Sequence, residues 1–336
     1  MTQMTPRERF LNALSRRPVD RAPVANPTSV VTEDLQTAVG AFFPDAHREA
    51  EQMAALALAG HTLLGFDAVS PVFGGGTHEA EALGVPVRWG ERGRMPACEH
   101  AIWKHPDEIV IADDFLDHPA IAVVTEAIRL LKTEVGDTAG IIGKVYGPWS
   151  LAYHTFGLPL FLKSTLKDPG FVDAILARLK EVAVIFGRAQ VDAGADALCY
   201  GAHITADLIR PDAYPRFLRD IDRTMQAAIG APLIFHCCGR TMDRIQYFNE
   251  NRMAAFHFES KNDAFEVKEQ AAMVLIGNIN NPETLLSGTV EDVRREVFRA
   301  LEAGIDIIAP ECAVPLDAGM DNIRAIRECV DEYYAR

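Results

Sequence analysis

Apolar positions along this chain recur in two alternating patterns, and the alternation carries most of what can be read about its shape. Phe10, Leu11 and Leu14 follow Thr5-Pro6-Arg7-Glu8, a capping box with proline at the first helical position, so a short N-terminal helix is predicted there. Arg21 to Ala25 is a short extended run, broken by Asn26-Pro27. Met53, Leu56, Ala57, Gly60, Leu63 and Leu64 then lie at helical spacing, Gly65 ends them, and Ala68 to Phe73 is a continuous apolar run. The exchange repeats. A stripe at Ile121, Val124, Ile128 and Leu131 precedes Gly140 to Tyr146, and a stripe from Val172 to Ala189 precedes Ala195 to Tyr200. Pro211 opens another helix, and the runs Pro232 to His236, Ala254 to Glu259 and Met273 to Gly277 follow. Thr289 caps a last stripe of Val290, Val293, Val297 and Leu301, Gly304 closes it, and Ile305 to Ala309 is the eighth run.

Short strands that are apolar throughout, separated by amphipathic helices, imply a parallel sheet covered on both faces. Eight such units without a linker-like stretch predict an α/β fold. The expected form is a (β/α)8 TIM barrel, one domain over residues 1–336, with an N-terminal helical extension. An open doubly wound sheet is the competitor. Gly74-Gly75-Gly76 follows a strand but lacks the G-x-G-x-x-G spacing of a dinucleotide site, and reads as a flexible turn. From Gly74 to about Pro119 no strong helical stripe occurs, only a hairpin pattern around Val85-Pro86-Val87-Arg88-Trp89. That stretch is expected to be a long loop insertion after the second strand, on the barrel face where active sites form.

Charge narrows the partners. A formal net charge of -14 offers no clustered lysine and arginine surface for phosphates, so nucleic acid is not expected. The first 17 residues lack an apolar signal core, and no run approaches the roughly 18 apolar residues of a membrane span. A cytoplasmic protein is expected. Six cysteines are too sparse for a disulfide framework, and Cys98, Cys199 and Cys329 read as small buried hydrophobes.

The other three carry chemistry. His236 and Cys238 are two apart at a strand exit, so they point to one side while Cys237 points to the other. Cys312 follows the eighth strand, and in a barrel the ends of the fifth and eighth strands face the same mouth. A Cys2His set with a free position is a catalytic zinc arrangement, whereas structural sites fill all four positions; iron is the other candidate. Glu259, at the end of the sixth strand, reads as an exchangeable fourth ligand or a partner of the ligands. The bland alternative is a core-facing dyad and a buried thiol, because H-x-C alone is a weak signal. Tyr146, His154, Tyr200 and His203 are also expected near the mouth. Asp67 precedes its strand and is left out, His257 reads as a core histidine, and His100, His105 and His118 as solvated residues.

His236-x-Cys238 with a distant Cys312 resembles the zinc signature of the methylcobamide:coenzyme M methyltransferases, a branch of the uroporphyrinogen decarboxylase family of (β/α)8 barrels. Pro6-Arg7-Glu8-Arg9-Phe10, Gly147-Pro148-Trp149-Ser150-Leu151 and Ile276-Gly277-Asn278-Ile279-Asn280 extend the resemblance over nearly the whole chain. It implies zinc on His236, Cys238 and Cys312, with Glu259 as an oxygen ligand when no thiol is bound. It also implies methyl transfer from a methyl-corrinoid such as methylcobalamin to a small thiol such as coenzyme M, with Tyr146, His154, Tyr200 and His203 as substrate or corrinoid contacts. The chain has no Asp-x-His-x-x-Gly corrinoid motif, so the corrinoid is expected on a separate protein or free. The decarboxylase holds substrate carboxylates with arginines after the first strand, where this chain reads Asn26-Pro27-Thr28-Ser29. Porphyrinogen decarboxylation is therefore not expected. Two other readings remain: a substrate:corrinoid-protein methyltransferase that demethylates a methoxy or methylamine-type donor, and a non-catalytic zinc protein that binds a tetrapyrrole.

Overall fold

The apolar runs become one parallel sheet in the computed structural model, which describes residues 3–336. Its strands are β1 (Ala68–Val69), β4 (Gly140–Tyr146), β5 (Ala197–Gly201), β6 (Leu233–Cys237), β7 (Ala255–Phe258), β8 (Val274–Ile279) and β9 (Ile307–Pro310), adjacent in that order. Between them the chain makes β2 (Val87–Arg88) and β3 (Ala97–Cys98), a separate antiparallel ribbon. The first of the eight expected strands shrinks to a single bridge, Val24 with Ile308. Pro23 has no N–H to give and Asn26-Pro27 ends the run, so a longer ladder cannot form. The short segment nonetheless reaches both edges of the sheet. Ala25 N–H donates to the Ile308 carbonyl (3.1 Å), Ile308 N–H to Pro23 (2.9 Å), and Asp67 N–H to Val24 (2.7 Å). The sheet is curled and barrel-like.

Alternation divides its side chains. Ile142, Cys199, Ile234, Ala255 and Ile307 belong to a small inner cluster, while Val145, Tyr200, Phe235 and Phe256 belong to the outer core under the helices. The helix Pro6–Leu14 closes the N-terminal end of the interior with Phe10 and Leu14. It starts as predicted: Thr5 Oγ1 accepts from Glu8 N–H (3.2 Å) and the Glu8 carboxylate from Thr5 N–H (2.9 Å). Gly140 is needed opposite, since a Cβ there would meet Phe10 at 2.5 Å. At the same end buried Asp67 receives Arg9 and Arg21, which places it far from the strand exits.

The stretch after β1 is more structured than its sequence pattern. It holds the helix Thr77–Ala82, the β2–β3 ribbon and two 3-10 turns, Pro106–Glu108 and Phe115–Asp117. The helix escapes detection because its buried residues include Thr77, His78 and Glu79, which interrupt any apolar stripe. Two further helices, Pro148–Phe156 and Leu158–Lys167, follow β4 directly and rise beside the strand exits. No helix among the described residues is long and apolar enough to cross a membrane.

Tyr200 corrects an expectation. It pairs in register with Val145 and Phe235, on the outer face, and its hydroxyl donates to Asp222 Oδ1 (2.8 Å) while Tyr214 donates to Oδ2 (2.9 Å). It is a core residue and lines no mouth. Burial pushes the Asp222 carboxyl up to about 7, against the two tyrosine bonds that favour its charge. Its folded pKa lies above its unfolded one, so its contribution to stability is full below about pH 4 and is lost as pH rises through about 7. Across that window stability should fall by up to about 1.4 kcal/mol per pH unit on this account. Asp222→Asn should remove that slope, as urea melts at about pH 4.5 and about pH 6.5 would show; an unchanged slope would reject the assignment.

Candidate metal centre

Strand β6 runs Leu233-Ile234-Phe235-His236-Cys237, and the pleat sends Ile234 and His236 inward, Phe235 and Cys237 outward. Cys237 is accordingly buried in the outer core. Cys238 lies one step beyond the strand, and Gly239, at φ +82°, turns the chain immediately after it. Cys312 arrives two residues after β9. The turn carrying it is fixed by Glu311, whose carboxylate accepts from Ser260 N–H (2.8 Å), Ser260 Oγ and Asn281 N–H (2.9 Å). Asn26 also donates to the Cys312 carbonyl (3.0 Å). The turns after β7, β8 and β9 and the segment after Val24 therefore all brace one sulfur.

Three donor atoms meet there. His236 Nε2 lies 2.9 Å from Cys238 Sγ, the two sulfurs are 3.4 Å apart, and Cys312 Sγ is 3.6 Å from Nε2. Zinc bonds of about 2.3 Å to sulfur and about 2.0–2.1 Å to nitrogen at tetrahedral angles would place sulfurs about 3.8 Å apart and nitrogen about 3.6 Å from each. Two edges of the triangle fit to within a few tenths of an ångström, and the third needs a modest opening. Among the described residues this is the one such cluster of His, Cys, Asp or Glu. The donors suit a borderline-soft divalent ion in charge as well as in spacing. Burial first, then the neighbouring His257, holds His236 well below its ordinary pKa, so the imidazole is in the neutral form that ligates. The thiols share one hydrogen bond, which pushes Cys238 up and Cys312 down. A cation between them would offset the second negative charge.

Glu259 is not drawn into the cluster. Its carboxylate pairs with the largely exposed Lys261 Nζ at 3.3 Å, while its charge still acts on both Cys238 and Cys312. Tyr146, at the end of β4, does face the interior. Its register partner Gly201 is in turn opposite His236, so the phenol stands at the level of the cluster. The rings of His154 and His203 lie 6.0 and 6.4 Å from it, centroid to centroid. His154 Nε2 bonds the Gly75 carbonyl (2.9 Å), and a Cβ on Gly75 or Gly76 would run into Tyr146 at 2.7 or 2.8 Å. The glycine turn is thus packed down on the aromatic wall, and Gly75 and Gly76 allow that approach. His257 is buried and bonds the Pro310 carbonyl at 2.8 Å, with its ring against His236. Lys144, inward-facing on β4 beneath this group, and Glu311 complete the surroundings; the signal for Lys144 is that it interrupts an apolar run at the inward parity of Ile142 and Tyr146.

Comparison with known proteins follows the same lines. Residues 5–333 match the uroporphyrinogen decarboxylase (URO-D) family. A methylcobamide:CoM methyltransferase of Methanosarcina barkeri is 32% identical over 340 residues, covering 100% of both chains. Another, from Methanosarcina acetivorans, is 29% identical over 341 residues and 99% of each. A solved structure of a methyltransferase from Methanosarcina mazei superposes with a TM-score of 0.95 at 31% identity, over 99% of this chain and 100% of that one. The chain belongs to the uroporphyrinogen decarboxylase family, and the members it resembles over its whole length include methylcobamide:CoM methyltransferases.

Proposed function

We propose that this protein is a zinc-dependent corrinoid methyltransferase, carrying a methyl group from a methyl-corrinoid on a separate protein to a small thiol such as coenzyme M. The observation that carries this reading is the convergence of His236, Cys238 and Cys312 on one point, three donors where a closed structural zinc site would have four. His236, Cys238 and Cys312 would hold the ion. Zinc there would supply Lewis acidity, so that a coordinated thiol gives up its proton near neutrality.

The chain's own groups do the rest. The imidazole is held neutral, and the hydrogen bonds of Glu311 brace the turn that presents Cys312, so binding the ion asks only for the opening between His236 and Cys238. Tyr146, His154 and His203 form an aromatic wall beside the cluster, against which the flat face of a corrinoid can lie. Burial keeps both histidines of that wall below their ordinary pKa and uncharged. A methyl-corrinoid presented there would supply the methyl group to the acceptor thiolate, the electron pair of the broken carbon–cobalt bond remaining with cobalt. Asn26 and Thr28 stand where the decarboxylase needs arginines, and both are engaged within the protein, which disfavours decarboxylation.

Incubating the zinc-loaded protein with methylcobalamin and coenzyme M should form cob(I)alamin, followed by its absorbance, at a rate that depends on thiol. Demethylation absent at every thiol concentration would overturn the reading. Methylation of cob(I)alamin by a methoxy or methylamine donor in its place would favour a substrate:corrinoid-protein methyltransferase.

A further inference from the structure

We infer that Lys144 is a positioning residue: its ammonium, fixed inside the barrel-like sheet beneath the ligand cluster, is the counter-charge that lets the site accept an anionic sulfur. The inference rests on the function proposed above. Lys144 is 5% exposed and lies on the inward face of β4 between Ile142 and Tyr146. Register places it level with Cys199, Ile234 and Ala255, one inward layer below the row of Tyr146, Gly201, His236 and His257. From there its side chain climbs to the loops at the strand exits. Nζ donates to the carbonyls of Val72 (2.6 Å), Thr28 (2.7 Å) and Gly74 (3.3 Å).

Two features of that cradle matter. Three carbonyl acceptors on one nitrogen match the three N–H groups of an ammonium; a neutral amine has two. All three acceptors are uncharged, and no carboxylate among the described residues lies within ion-pair distance of Nζ. The positive charge is therefore solvated by the backbone and left without a direct counter-ion. Glu79, the buried carboxyl nearby, accepts from Tyr146 N–H (2.9 Å) and is pushed up by burial. Burial lowers the lysine, and the fields of Cys199, Cys312, Glu79 and Cys238 oppose that, so both cluster thiols feel it.

Charge counting supplies the need. A divalent ion with two thiolates and a neutral imidazole carries no net charge. A third thiolate makes the group an anion in a largely dehydrated mouth, and an unpaired buried anion is costly. A fixed cation below it offsets that cost. The loop from Asn26 to Ser29 links the two ends physically, since Asn26 holds the Cys312 carbonyl while Thr28 holds the ammonium.

The test uses cobalt(II)-substituted full-length protein and 2-mercaptoethanol, whose tail is uncharged, with sulfur-to-cobalt charge-transfer absorption reporting thiol affinity. Lys144→Gln keeps N–H donors for the carbonyls without the charge, and Lys144→Arg keeps the charge. Lys144→Gln should weaken thiol binding about tenfold or more, with Lys144→Arg within about threefold of wild type. Both should hold cobalt as wild type does in chelator competition. Equal affinity in wild type and Lys144→Gln, or an equal loss in both variants, would overturn the role. Absence of thiol binding by the wild type would instead overturn the proposed function, and this inference with it. Should Lys144→Gln not fold, metal-free wild type decides by alkylation. Anionic iodoacetate should gain on neutral iodoacetamide relative to their ratio on free cysteine, and a ratio no higher would refute the inference.

Discussion

If the proposed function holds, Cys238→Ala should lose zinc and methyl transfer together. The variant keeps one nitrogen and one sulfur donor, and removing a group that touches the ion should exceed the 10–100-fold cost typical of outer partners, so affinity should drop by more than about 100-fold. Cys237 cannot substitute, although it is adjacent. The strand pleat points it into the outer core, where it is fully buried. Cys237→Ala is therefore the matched control: it should cost on the order of 1–2 kcal/mol of packing and leave metal content intact. Atomic emission on dialysed protein gives zinc per chain, and thiol-dependent cob(I)alamin formation gives activity. A metal-free Cys238→Ala protein of full activity would sink the mechanism.

Asp67→Ala should be the most damaging single change to the fold. Asp67 is fully buried and accepts four hydrogen bonds: Arg9 Nη1 (2.6 Å), Arg21 Nη1 and Nη2 (2.9 and 3.0 Å) and Val24 N–H (2.7 Å). Its loss strands two largely buried guanidinium groups, Arg9 keeping Asp20 and Arg21 keeping a long contact with half-exposed Asp331. Removing one partner from such a buried network costs about 3–5 kcal/mol. For a chain of this length that is roughly 5 °C in Tm. Because Asp67 sits at the end opposite the strand exits, zinc affinity below the melting range should be unchanged. Calorimetry and metal titration on one sample separate the two. A variant that lost metal at normal Tm would show that Asp67 belongs to the site.

Much of this architecture is legible in the residues because parallel strands buried on both faces must be apolar throughout, as Leu233-Ile234-Phe235 and Ile307-Ile308-Ala309 are. His236 and Cys238 stand out for the same reason, as polar interruptions at one parity. Tyr200 shows the limit of that reasoning. Its parity already set it apart from Cys199 and Gly201, but what it serves is Asp222, in a helix 22 residues on, which no local pattern displays. Glu259 shows a similar limit: its place at a strand exit is legible, but its pairing with Lys261 is not. Lys144 was hidden because its partners are carbonyl oxygens, which every residue type supplies. The helix Thr77–Ala82 was hidden because three of its four buried residues, Thr77, His78 and Glu79, are polar.

The single bridge at Val24 has a consequence beyond shape. β1 and β9 are the two ends of the sheet, and an end strand without a neighbour is a row of amides and carbonyls that another chain can dock onto. Residues 23–25 occupy both rows at once, through Ile308 on one side and Asp67 on the other. Three residues therefore deny this protein the template on which edge-to-edge aggregates grow, and a chain emerging from synthesis without them in place would expose it.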